Sequence, residues 1–185
     1  RLPGFIKNRK DKKMQTKNIF LVLILMCISF VGLAQSKQLP AINIKTLDGQ
    51  TFSTADFDND GKPYVLSFWA TWCRPCLKEL TAIDEIYEDW LDLGVKLIAV
   101  STDDSKTRHN ITPMVNGRGW NFDFYLDDNG DFKRAMGVNM IPHTFIIDGN
   151  GNVVGQHRAF YDGLEWEMYD KLKKLIEEEN ETEDN

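Results

Sequence analysis

Cys73 and Cys76 stand two residues apart in "WATWCRPC", residues 69–76. Such a pair can grip a metal ion, close a small structural staple, or pass two electrons as a reversible dithiol. A bridge across two intervening residues closes so short a loop that it constrains the unfolded chain very little, which weakens the staple. A structural zinc site needs four ligands. The sequence has no second cysteine pair, and His109, His143 and His157 are far apart in it.

The residues around the pair suit redox chemistry. "YVLSFWA", residues 64–70, is a continuous apolar run of aromatic and branched residues, the pattern of a strand buried on both faces. After Pro75, the residues Leu77, Leu80, Ile83, Ile86, Tyr87, Trp90 and Leu91 recur at helical spacing until Gly94. Cys73 is therefore expected near the first turn of a helix, where unpaired N–H groups and the helix dipole favour a thiolate. Pro75 fits that turn because its missing N–H has no helical partner there, and Arg74 adds a positive charge. Such surroundings lower a thiol pKa from about 8.5 to roughly 3.5–7.5. Cys76, one turn in, is expected to be the more buried sulfur, able to resolve a mixed disulfide.

The remaining elements imply an α/β domain with a mixed central sheet. "LPAINIKTLDGQTFST" alternates and turns at Asp48-Gly49, a β-hairpin. "VKLIAVS" and "FDFYL" are further strands. Residues 104–118 have helical character that Pro113 is expected to kink or divide, and a short helix lies near 131–136. "HTFIID", a "GNG" turn and "NVVGQHRAF" form a terminal hairpin before a last helix over about 162–178.

Ile19–Ala34 is uncharged, follows Lys17, and ends in small residues before Gln35, as a secretory leader does. Residues 1–34 are thus expected to be a signal peptide whose translation starts at Met14, with retention as an anchor the alternative. Residues 35–178 form the domain and 179–185 an acidic flexible tail. Of 22 basic residues seven precede Gln35, and of 28 acidic residues only Asp11 does, so the exported part carries a net charge of −12. That argues against nucleic acid and anionic membranes as partners. Cys27 leaves with the leader, and Cys73 and Cys76 are then the only cysteines.

"FWATWCRPC" resembles the active site of the thioredoxin superfamily, and residues 38–178 resemble its exported TlpA/ResA-type thiol–disulfide oxidoreductases. The resemblance implies a thioredoxin-like fold with an N-terminal β-hairpin and an extra helix–strand insertion. It implies a cis bond between Ile141 and Pro142 in "MIPHTFIIDGNGNVV", beside the disulfide, where substrate chains dock. Trp72 would line the site and Trp69 serve the core. Ser67 stands where thioredoxin has a buried aspartate, and Glu79 matches a glutamate that the ResA-like branch places near its disulfide. Glu79 lies one turn from Cys76 on the same helix face, so it is expected to take over the proton role. His143 is expected to be an ordinary edge-strand histidine.

The implied activity is reduction of disulfides in exported, extracytoplasmic or periplasmic proteins, with cytochrome c maturation as a target process. The partners implied are disulfide-bearing protein substrates and a membrane thiol electron donor. The chain would act as a monomer, with no cofactor beyond the Cys73–Cys76 disulfide. Two alternatives share the fold. Copper carriers space their cysteines by three residues and add a histidine. Thiol peroxidases carry Thr or Ser three residues before the reactive cysteine, where this chain has Ala70.

Overall fold

A computed structural model describes residues 38–183; the expected leader, Met14 and Cys27 lie outside them. Among the described residues seven strands form one mixed sheet: β1 (Asn43–Thr46), β2 (Thr51–Ser53), β3 (Tyr64–Trp69), β4 (Lys96–Ser101), β5 (Asp123–Leu126), β6 (His143–Ile147) and β7 (Val153–His157), in the spatial order β2-β1-β5-β4-β3-β6-β7. β3, β4 and β5 run parallel; the outer pairings are antiparallel. The described residues also form five α-helices: α1 (Arg74–Glu85), α2 (Tyr87–Asp92), α3 (Ile111–Arg118), α4 (Asp131–Ala135) and α5 (Leu164–Glu183).

The alternation of β3 divides its side chains between two cores. Val65 and Trp69 face Leu80 and Ile83 of α1, Trp90 of α2 and Met168 of α5. Leu66 and Phe68 face Phe132 of α4, with Ile98, Phe145 and Ile147. Ser67 shares the first face, and this places a polar group under α1. The N-terminal hairpin turns through Gly49 at φ 86°, a left-handed conformation that glycine adopts without a Cβ clash. Its β1 pairs with β5, so the hairpin extends the sheet at that edge.

Three expectations need correction. The helix foreseen over 75–94 is broken at Ile86 (φ −122°, ψ 16°). The break lets Ile86, Tyr87 and Trp90 all be buried, and Tyr87 Oη accepts the Leu97 N–H at 3.2 Å. Pro113 does not kink its helix. The preceding segment is held in turns by Asp104, whose Oδ1 accepts the N–H groups of Lys106 and Thr107. A 3-10 turn at Arg108–Asn110 follows. α3 then starts only at Ile111, which leaves Pro113 in the first turn, where no N–H is needed. The last helix continues to Glu183, so residues 179–183 extend α5 as helix. Among the described residues no helix is long and apolar enough to cross a membrane.

Candidate active site

β3 ends at Trp69, and the chain makes a short turn through Thr71 and Trp72 before α1 begins at Arg74. Cys73 caps that helix: its Sγ accepts the Cys76 N–H at 3.3 Å. Pro75 occupies the first turn, as its spacing predicts. The two sulfurs are joined in a disulfide with the Cα atoms 5.3 Å apart. Cys73 retains 6% exposure and Cys76 none, so an incoming sulfur meets Cys73 first. Arg74 and Pro75 are exposed beside it. Trp72 is 61% exposed, and with Thr71 it forms one wall of an open groove of about 530 Å³ faced by Asn110, Pro113 and Met114.

The Ile141–Pro142 bond is cis. Pro142 is buried and Ile141 partly so, immediately before β6. β6 pairs with β3 in a register that sets Ser67 opposite Thr144 and Phe68 opposite His143. The edge-strand expectation for His143 is therefore wrong, because β6 is an interior strand flanked by β3 and β7. The His143 ring is buried, stacked on Phe145, with Nε2 3.1 Å from Gln156 Oε1.

Below the disulfide, Glu79 is only 1% exposed. It projects from α1 onto the Ser67–Thr144 pair. Thr144 Oγ1 lies 2.9 Å from Glu79 Oε1 and 2.9 Å from Ser67 Oγ, and Ser67 Oγ lies 3.1 Å from Glu79 Oε2. Three contacts join three groups, while the two hydroxyls bring only two protons. A neutral carboxyl supplies the third and closes the ring. A carboxylate would draw both hydroxyl protons to itself and leave the Ser67–Thr144 contact without one. The electrostatics agree in direction. Burial pushes the Glu79 carboxyl from its ordinary 4.5 up to about 7, against the opposing effect of the hydrogen bonds from Thr144 and Ser67. Glu85 and Glu88, on the solvent side, are exposed. Glu79 is thus a buried acid whose carboxyl burial holds above its ordinary range, one helical turn from the inner cysteine.

The fold brings Cys73, Cys76, Glu79, Trp72, Arg74, Pro75, Ile141 and Pro142 to the two chain segments that meet at this end of β3 and β6. Sequence reasoning missed Thr144, although its place two residues after Pro142 in "IPHTF" was visible. In the sequence Ser67 is only a departure from aspartate; its role as a carboxyl partner emerges from the cross-strand register. Among the described residues, no group of three or more His, Cys, Asp or Glu side chains could hold a metal ion.

The geometry has counterparts among known proteins. Residues 36–156 match the model of the AhpC/TSA family. A thiol–disulfide oxidoreductase ResA from Bacillus thuringiensis subsp. konkukian is 30% identical over 139 residues, covering 75% of this chain and 77% of that protein. The solution structure of a thioredoxin-like protein from Porphyromonas gingivalis is 48% identical, with a TM-score of 0.68 over 76% of this chain and 92% of its own. A crystal structure of a DsbE-like protein from Chlorobium tepidum, at 23% identity and TM-score 0.67, covers 78% of this chain and 99% of its own and shares the fold. The mixed seven-stranded sheet is the thioredoxin-like fold, and this chain belongs to the AhpC/TSA family as a ResA-type thiol–disulfide oxidoreductase.

Proposed function

We propose that the protein reduces disulfides in extracytoplasmic proteins, with Cys73 as attacking sulfur, Cys76 as resolving sulfur and Glu79 as proton carrier. The observation that carries this is the buried Glu79 carboxyl, tied to Ser67 and Thr144 one turn from Cys76. In the reduced protein the Cys73 thiolate attacks one sulfur of a substrate disulfide, and the other departs as a thiolate. Cys76 then gives its proton to the Glu79 carboxylate and attacks Cys73 Sγ, expelling the second substrate sulfur as a thiolate. Two electrons have passed to the substrate, and the enzyme holds a disulfide with a neutral Glu79. An external dithiol returns the two electrons, and Glu79 returns its proton to Cys76.

Substrate chains dock across exposed Trp72 and the Ile141–Pro142 segment, with Arg74 and Pro75 shaping the rim. The expected leader at 1–34 puts the protein outside the cytoplasm, where a membrane thiol carrier is the fitting electron donor and cytochrome precursors the fitting substrates. The site needs no cofactor beyond its own disulfide, and the domain acts as a monomer. A peroxidase reading has the family match in its favour, but Ala70 offers no hydroxyl where such enzymes need one, and the inner cysteine is already paired.

Equilibration with glutathione tests the direction. A reductant has a Cys73–Cys76 potential below about −220 mV, whereas a value near about −120 mV would mark an oxidase.

A further inference from the structure

The exchange chemistry leaves one fully buried carboxyl without a role. Asp103 follows β4, thirty residues after Cys73 in sequence, with no exposed surface. Its Oδ2 accepts the Thr71 N–H at 2.8 Å and the Ser101 hydroxyl at 2.7 Å; its Oδ1 accepts the Thr71 hydroxyl at 2.6 Å. Its own N–H donates to Ser101 Oγ at 3.0 Å. No ion pair reaches it among the described residues. A buried carboxyl met only by dipoles is costly to keep in a fold, and all but one of these donors belong to a single residue, Thr71.

Thr71 lies two residues before Cys73, in the turn that links β3 to α1. The turn is anchored at its start as well. The Thr102 N–H donates to the Trp69 carbonyl at 2.8 Å, and the Cys73 N–H to the Ala70 carbonyl at 3.0 Å. The end of β4 therefore grips the chain at Trp69 and at Thr71, just before Cys73 takes its place at the helix cap.

We propose that Asp103 is a positioning residue for the Cys73 thiol: its grip on Thr71 fixes the turn that holds Cys73 Sγ at the first N–H groups of α1. The inference rests on Cys73 being the attacking sulfur. When the grip is loosened, the sulfur spends less time at the Cys76 N–H, the thiolate loses that donor and the helix dipole, and the thiol becomes harder to ionise. Removing a buried negative charge has the opposite effect through space, because it makes a nearby thiolate easier to form. The two influences are separable by sign.

The test is the pH dependence of iodoacetamide alkylation in the reduced full chain, with the modified cysteine identified by mass spectrometry. It is run for wild type, Asp103→Asn and Thr71→Val. Thr71→Val removes one hydroxyl and keeps the carboxyl, so it remains informative if Asp103→Asn fails to fold. The expected result is alkylation first at Cys73 in wild type and an upward move of its midpoint in both variants. The move expected is about half to one pH unit, a three- to tenfold slower reaction at a fixed pH below the midpoint. Lower stability with unmoved midpoints would overturn the inference in favour of a purely structural anchor. A downward move in Asp103→Asn with Thr71→Val unchanged would overturn it in favour of charge alone. Alkylation of Cys76 ahead of Cys73 in wild type would show that the attacking sulfur itself is misassigned, and the inference would fall with it.

Discussion

Replacing Cys76 by alanine should turn the protein into a trap, with disulfide substrates linked to Cys73 and held there. The buried Cys76 sulfur is the group placed to displace them, since it already bonds to Cys73 and sits at the inner side of the helix cap. Catalytic turnover of a protein disulfide should fall by at least about 10³-fold in Cys76→Ala and in Cys73→Ala alike. Only Cys76→Ala should accumulate the mixed disulfide, visible as a mass increment that reductant removes. Expressed in its native host, this variant should capture exported proteins, with cytochrome precursors prominent among them if the proposed function holds. Accumulation on Cys76 in the Cys73→Ala protein would reverse the assignment of roles. Efficient peroxide turnover by Cys73 without Cys76 would identify a peroxidase instead.

The second large effect concerns Glu79 and stability. A carboxyl at about 7 in the folded protein against its ordinary 4.5 binds its proton more tightly when folded. Below about pH 4.5 it is neutral in both states and costs nothing electrostatically. Between those values the unfolded chain ionises first, so folding stability falls as pH rises, and the loss is complete above about pH 7. The shift corresponds to a loss on the order of 3 kcal/mol. Glu79→Gln keeps the shape and can still accept from one hydroxyl, but carries no charge at any pH. The oxidised Glu79→Gln protein should therefore be more stable than wild type by about 1–3 kcal/mol near pH 8 and nearly equal to it near pH 4. Urea unfolding across that range measures both. Parallel stability curves for the two proteins would show that Glu79 titrates normally and that its burial carries no such cost.

Much of this site is local and therefore legible in sequence. The apolar run of β3, the cysteine spacing, Pro75 and the i, i+3 relation of Cys76 to Glu79 all lie within sixteen residues. Pro142 became visible through resemblance, because nothing in its own neighbourhood announces a cis bond. What stayed hidden depends on pairing between distant segments. The Ser67–Thr144 contact exists because β6 runs antiparallel to β3 in one register, and a one-residue slip would put Thr144 on the other face. The edge-strand expectation for His143 fails for the same reason: an interior and an edge strand look alike until their neighbours are known. Asp103 resembles any acid in a loop until β4 carries it to Thr71. The break at Ile86 was masked by a hydrophobic period that continues across it, as burial of Ile83, Ile86, Tyr87 and Trp90 requires.

Glu79 should carry the proton released when Cys76 closes the disulfide. The most direct measurement starts from a mixed disulfide between Cys73 and a small thiol, formed at acid pH where a neutral Glu79 cannot accept a proton. A rapid pH jump then starts resolution, followed as release of the small thiol. In wild type the rate should rise through a midpoint near 7, the pH at which burial leaves Glu79 half ionised. In Glu79→Gln that inflection should vanish and the rise move to the range of an unassisted thiol, about 8.5 or higher for a buried one. Identical profiles in the two proteins would contradict the account.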